Sequence, residues 1–174
     1  MKTEIRMIAG QTAEAVGLGL AAGLAGTAAM TVSSTVESKI RHRPPSYTPA
    51  QVASKVLKVE PKGEEGKARL GSLTHWGYGT MWGGLRGALA ATGLTPLPAS
   101  ILHLAIVWGT EQVVLPAFKV APPFTKWGGK ETAIDVWHHL VYEAGTSLAY
   151  TILEGPLSRR RRRVERRLAA LGLF

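Results

Sequence analysis

The segment DVWHHLVYEAGTSLAY, residues 135–150, places side chains that could bind metal or carry protons within an otherwise apolar stretch. Asp135, His138, His139 and Glu143 supply two carboxylates and two imidazoles. Such groups ligate metal ions, histidine pairs on membrane helices can hold haem iron, and chains of them can relay protons. At 3.6 residues per turn they fall on or beside one helix face, opposite an apolar face. Because a carboxylate facing lipid is costly, we expect this polar face to point into a helical bundle.

Two earlier apolar segments carry complementary groups. His75 and Arg86 lie on one segment, and His103 and Glu111 lie on the next. With a rise of about 1.5 Å per residue and the last three helices as antiparallel neighbours, these side chains fall into two layers with residues 135–143. We call these the polar layers. One is predicted to hold His75, Glu111, Asp135 and His139, and the other Arg86, His103 and Glu143, with His138 at the edge of the polar face.

The sequence leaves three roles open for the polar layers. Pairing of Arg86 with Glu143, and of imidazoles with carboxylates, would lock the register of the helices. The same groups could instead handle protons or ions, or the histidines could bind a metal, haem or pigment. No nucleophile elbow, phosphate loop, H-E-x-x-H motif or dinucleotide fingerprint is present in the sequence. We therefore expect a protein that is not an enzyme, and the sequence requires no particular cofactor.

Four apolar segments must position these side chains. The span of residues 15–36 is uncharged and as a helix would be about as long as a bilayer core is thick. The predicted class is all-α, a polytopic transmembrane helical bundle in a single membrane domain, residues 1–174. A soluble helical bundle and a cleaved N-terminal signal peptide are the alternatives. The embedded helices are expected at about 12–37, 70–92, 98–118 and 131–155.

Glycines recur at helical spacing on the first two segments. Gly19 and Gly23 lie four residues apart, and Gly79, Gly83 and Gly87 form one stripe. Small residues at this spacing allow helix backbones to approach closely in lipid. We expect these glycines to form helix-packing surfaces, through which the protein could also pack against larger membrane partners.

A polar connector, residues 38–69, separates the first two apolar segments. Within it Thr48, Pro49 and Gln51 suggest a capping box at the start of a short amphipathic helix. This helix is expected to lie at the membrane surface or on a partner. The following segment EPKGEEGK, residues 60–67, is typical of a mobile loop.

The C-terminal tail, residues 156–174, is strongly basic. A juxtamembrane arginine run typically stays in the cytoplasm and binds anionic lipid headgroups. Nucleic acid is not an expected partner, because aromatic residues do not interleave with the arginines. The net charge of +9 agrees with an anionic partner, and the absence of cysteine excludes disulfides and thiolate metal sites. The predicted lipid-binding residues are Arg159, Arg160, Arg161, Arg162, Arg163, Arg166 and Arg167.

Three segments resemble the small YagU-type bacterial inner-membrane proteins: GTAAMT (26–31), HWGYGTMWGGLRG (75–87) and WHHLVYEAGTSLAY (137–150). The resemblance implies a multi-pass protein of the bacterial plasma membrane, and it transfers no catalytic residue. The leading expectation is a non-enzymatic scaffold or accessory subunit that packs against other membrane-protein subunits. The alternatives are a small proton or ion transporter or channel that uses the polar layers, and a haem-, metal- or pigment-binding membrane protein.

Overall fold

The computed structural model describes the backbone of residues 2–44 and 46–170, and the side chains of residues 6–44, 46–156 and 164. The described chain is 85% helix without a strand, which confirms the predicted all-helical class. One 3₁₀ turn, Phe124–Lys126, lies between the last two helices. The helices are α1 (Lys2–Ile40), α2 (Thr48–Leu57), α3 (Gly63–Ala91), α4 (Pro96–Ala117) and α5 (Gly129–Ala170).

The helix α3 begins at Gly63, inside the segment expected to be a loop. Acidic side chains in its first turn favour this start, since they interact well with the positive end of the helix dipole. Each also pairs with a base on the next turn: Glu64 with Lys67 at 2.9 Å and Glu65 with Arg69 at 2.6 Å. The prediction of a loop is therefore wrong for residues 63–67, whereas residues 60–62 lie outside the helix.

The predicted capping box of α2 does not form. Tyr47 occupies the N-cap position, so Thr48 is already helical and no side chain caps the helix. Instead, Ser46 Oγ accepts a hydrogen bond from the Thr48 backbone N–H at 3.3 Å. The helix buries Ala50 and Ala53 and packs on α3, while Val56 remains exposed.

The helix α5 continues into the basic tail. It bends at Gly155, whose φ of 64° and ψ of 162° are open to glycine, and Pro156 follows. Beyond the bend the chain is helical to Ala170. The side chains of the seven tail arginines lie outside the described residues, so the predicted lipid-binding surface is not described.

The long helices are arranged around α1. It packs along both α3 and α5, which contact each other only slightly, whereas α4 lies against α5 and α3. Two helices, Arg6–Ile40 of α1 and Pro96–Ala117 of α4, are long and apolar enough to cross a membrane by length and composition.

The glycine stripes meet each other between α1 and α3. A Cβ atom added to Gly23 would lie 2.7 Å from Gly83 Cα, and one added to Gly87 would lie 2.7 Å from the carbonyl carbon of Ala15. A Cβ on Gly19 would lie 2.8 Å from the backbone nitrogen of Gly87. Only glycine permits this approach. The stripes therefore form a helix-packing surface within the chain, between α1 and α3.

Candidate functional site

The polar face of α5 lies inside the bundle. Tyr142, Glu143, Thr146 and Tyr150 are buried, along with His138 and His139 on the preceding turn. Across the same helix Trp137 and Leu148 are about three-fifths exposed, at 59% and 63%. Every turn of this helix between residues 137 and 150 thus directs polar groups inward and apolar groups outward.

Arg86 and Glu143 are joined through a serine hydroxyl. Arg86 on α3 is 1% exposed, and its Nε donates a hydrogen bond to Ser147 Oγ at 2.9 Å. Ser147 Oγ donates in turn to Glu143 Oε1 at 2.5 Å. Since that hydroxyl has one hydrogen, the contact of 2.6 Å between Ser100 and Ser147 uses the Ser100 hydrogen. The expected direct pairing of Arg86 with Glu143 is replaced by this bridge.

Other groups of α5 complete the surroundings of Arg86. Its guanidinium carbon lies 4.8 Å from the centre of the Tyr150 ring, a cation–π distance. The carboxylates of Glu143 and Glu154 both act on the guanidinium electrostatically. The Arg86 Nη1 atom has no hydrogen-bond partner among the described residues. We call Arg86, His103, Glu143 and Ser147 the central cluster.

His103 on α4 brings a proton into the central cluster. Its Nε2 lies 2.9 Å from the Trp82 carbonyl oxygen, which can only accept, so Nε2 carries hydrogen. Its Nδ1 contacts Glu143 Oε2 closely. A lone pair facing a carboxylate would be repulsive, so this contact must contain a proton, on either the imidazole or the carboxyl. The predicted layer of Arg86, His103 and Glu143 is thus brought together by α3, α4 and α5.

A second group of ionisable side chains lies between α4 and the first turns of α5. Glu111, Asp135 and His139 place one donor atom each within 4.8 Å of the others. His139 Nε2 is 3.1 Å from Glu111 Oε2, and His139 Nδ1 is 2.9 Å from the Asp135 carbonyl oxygen. The indole of Trp108 donates to Asp135 Oδ2 at 2.8 Å. We call Glu111, Asp135 and His139 the carboxylate–histidine cluster.

Two other predicted histidines are bound by α1. His75 Nε2 lies 3.0 Å from Thr31 Oγ1, and His138 Nδ1 lies 2.9 Å from Ser33 Oγ. His75 was expected in one layer with the carboxylate–histidine cluster, and its described hydrogen-bond partner is instead a hydroxyl of α1. The prediction of the polar layers took the last three helices as direct neighbours. In the structure α1 packs between α3 and α5 and supplies hydroxyl partners of its own.

A charged network closes one end of the bundle. Glu37, near the end of α1, pairs with Arg43 at 2.5 Å and with Arg41 at 3.0 Å, and it lies 3.8 Å from His138 Nε2. Arg41 also pairs with Glu131 at 2.5 Å, which links the α1 end to the start of α5. Hydrogen bonds to Glu131 and Glu37 raise the pKa of Arg41, so this guanidinium stays charged.

Sequence reasoning missed the hydroxyl and indole partners of these groups. The signal available was the recurrence of serine and threonine in apolar helices, where a hydroxyl must find an acceptor within the protein. The missed partners are Thr31, Ser33, Ser100, Trp108 and Ser147.

The chemistry open to these groups is proton sharing, charge compensation and cation binding. Comparison with family models, with curated proteins and with solved structures finds no match for the chain. The functional argument therefore depends on the geometry of the chain itself.

Proposed function

We propose that the chain is a non-enzymatic integral membrane protein that crosses the bilayer with α1, α3, α4 and α5. The observation that supports this is an inverted distribution of polar and apolar side chains. The largest fully buried side chains are Arg86, Tyr150, His103, Thr27 and Thr146. Large apolar side chains are exposed on all four helices, including Leu24 and Val32 on α1, Leu73 and Met81 on α3, Leu97 and Ile101 on α4, and Leu148 and Ile152 on α5.

The surrounding solvent decides whether such a distribution is stable. In water, burying an arginine while exposing leucines at 50–73% of their surface gains little from the hydrophobic effect. In hydrocarbon the preferred placement of side chains reverses. Apolar side chains can face lipid without cost, whereas charged groups must pair inside the bundle. The distribution is therefore the one expected of an embedded bundle.

The polar groups of α3 and α5 do not argue against crossing. Arg86, His139 and Glu143 are each less than 9% exposed, so the bundle shields these three groups from lipid. Charged residues lower the mean hydropathy of a helix whether or not they face lipid. When they are buried inside the bundle, the cost of exposing a charge to hydrocarbon does not arise. This is the basis for adding α3 and α5 to the two helices that qualify by composition.

We further propose that the protein acts as a scaffold or accessory subunit. Arg86, His103, Glu143 and Ser147 contact each other rather than an open path, which suits locking of helix register. Because the glycine stripes are used between α1 and α3, a partner would meet the exposed apolar faces of α3, α4 or α5.

The location and lipid contacts belong to the same proposal. The resemblance to YagU-type proteins favours the bacterial inner membrane, with several crossings. An even number of crossings puts both termini on one side, and the tail arginines favour the cytoplasm through their attraction to anionic headgroups.

Photo-crosslinking tests the accessory role. A photoreactive amino acid at Met81 or Ile152, which are 72% and 68% exposed, should yield discrete protein adducts in native membranes. The matched control is a probe at Leu115, which is buried on α4 and should yield none with another chain. The contradicting result needs probes at exposed positions on each of the four helices. If all of them gave lipid adducts alone, the chain would have no membrane partner and the accessory role would be wrong.

A flux assay separates scaffolding from ion handling. In proteoliposomes carrying a pH gradient, the purified chain should conduct no more protons than empty vesicles. If wild-type protein conducted and a folded Glu143→Gln variant did not, the central cluster would be a proton path, and the scaffold proposal would give way to transport.

A further inference from the structure

The carboxylate–histidine cluster has an arrangement that the scaffold proposal does not explain. His139 Nδ1 lies 2.9 Å from the Asp135 carbonyl oxygen, which can only accept, so Nδ1 carries hydrogen. In the neutral ring this leaves the lone pair on Nε2, and Nε2 faces Glu111 Oε2 at 3.1 Å. The Glu111 Oε2 atom is buried, and among the described residues its ion-pair partner is this same nitrogen. Two electron-rich atoms therefore face each other at close range and need a cation between them.

The charge of the cluster indicates which cation fits. Within the described residues, Glu111 and Asp135 form ion pairs with His139 and with no lysine or arginine. With both carboxylates ionised, a single proton on His139 would leave a net charge of −1 beside apolar helices. A divalent ion with a neutral imidazole would bring the sum to zero, which lowers the cost of burial.

We propose that Glu111, Asp135 and His139 bind one divalent transition-metal ion, and that this ion joins α4 to α5. One imidazole nitrogen and two carboxylate oxygens are ligands of the borderline ions, such as Zn²⁺. Ligands at about 2.0–2.2 Å from a tetrahedral centre lie about 3.4 Å apart. The donor atoms here lie within 4.8 Å of one another, with the His139–Glu111 pair at 3.1 Å, so small side-chain movements suffice.

The neighbouring groups hold the ligands as metal sites require. The Asp135 carbonyl fixes the ring of His139 with Nε2 directed to the cluster, and the Trp108 indole donates to Asp135 Oδ2. Partners of this kind orient ligands and set the imidazole tautomer. The ring of Phe124, in the loop after α4, packs against Trp108 with centroids 5.6 Å apart. This places the cluster near the loop end of the bundle, and the side chains of Glu111 and Asp135 are 23% and 22% exposed, so an ion can enter.

Equilibrium binding of Zn²⁺ tests the site. Protein without a histidine tag, purified in detergent and stripped with EDTA, is dialysed against micromolar Zn²⁺ in excess Mg²⁺ and then analysed for metal. We expect about one Zn²⁺ per chain, and affinity at least about tenfold weaker in His139→Gln, since even an orienting partner contributes about that much. The matched control is His138→Gln, the adjacent buried imidazole, whose contacts are with Ser33 and Glu37. It should bind as wild type does.

Several outcomes would overturn the site. Wild-type protein that retains no Zn²⁺ would show that a proton occupies the cluster. Equal binding by His139→Gln and wild type would show an adventitious ion only, and equal loss in His138→Gln would show that the ion lies elsewhere. If His139→Gln does not fold, the more exposed variants Glu111→Gln and Asp135→Asn replace it, with the same expected loss and the same meaning if binding persists. Trp108→Phe, which keeps all three ligands, should weaken binding by about 10–100-fold without removing it.

Discussion

Arg86 of α3 and Glu143 of α5 are both buried inside the bundle and are joined by one atom, the Oγ of Ser147. The hydroxyl accepts from the guanidinium at 2.9 Å and donates to the carboxylate at 2.5 Å. The bridge links two helices, α3 and α5, that make few other contacts with each other. His103 adds α4 through its contact with Glu143. The central cluster thus ties three helices together at one level of the bundle.

The bridge should be sensitive to loss of one hydroxyl. Ser147→Ala leaves the Arg86 Nε and a Glu143 oxygen without their partner, and unsatisfied buried groups of this kind cost about 1–3 kcal/mol. We expect a clear fall in the thermal unfolding midpoint in detergent. Ser72→Ala, at an exposed serine on α3, is the control and should unfold as wild type does. Equal midpoints for both variants would mean that the bridge contributes nothing to stability.

The two charges should be energetically coupled. Arg86→Met or Glu143→Gln alone leaves a buried group uncompensated, and breaking a buried pair typically costs about 3–5 kcal/mol. The double substitution should recover part of the loss, with a coupling of about 1 kcal/mol or more from a double-mutant cycle of unfolding in detergent. Simple additivity of the two single effects would contradict the geometry of the central cluster.

The glycine contact between α1 and α3 should not tolerate a methyl group. A Cβ on Gly83 would lie 2.5 Å from the backbone nitrogen of Gly23, so Gly83→Ala must push the two helices apart. Overpacking of this kind costs about 1–3 kcal/mol, which outweighs the gain of alanine in helix propensity. Gly77→Ala on the same helix is the matched control, because a Cβ there meets nothing within 4 Å. We expect a lower unfolding midpoint for Gly83→Ala and an unchanged or higher one for Gly77→Ala; the reverse order would contradict the packing of α1 on α3.

The sequence predicts where the helices lie better than it predicts which helices pack against each other. The period of 3.6 residues separates the two faces of α5, because polar and apolar side chains recur at helical spacing between residues 135 and 150. It cannot reveal that α1, whose residues 15–36 are uncharged and rich in small side chains, packs between α3 and α5. His75 and His138 were therefore assigned without their α1 hydroxyl partners, Thr31 and Ser33. Ser147 was missed for a related reason, since helical arithmetic is uncertain by about one turn and does not resolve a bridge from a direct pair.

Membrane topology tests the central claim, four crossings, most directly. Because the chain has no cysteine, single cysteines report without background when labelled by a membrane-impermeant maleimide. We propose substitutions at Lys62 before α3, Thr92 after α3, Lys126 after α4 and Val164 in the tail, all exposed. In intact cells the account predicts labelling at positions 62 and 126, and labelling at 92 and 164 only after permeabilisation. Labelling of 62 and 92 from the same side would show that α3 does not cross. Labelling of 126 and 164 from the same side would show that α5 does not cross, and either result would contradict four embedded helices.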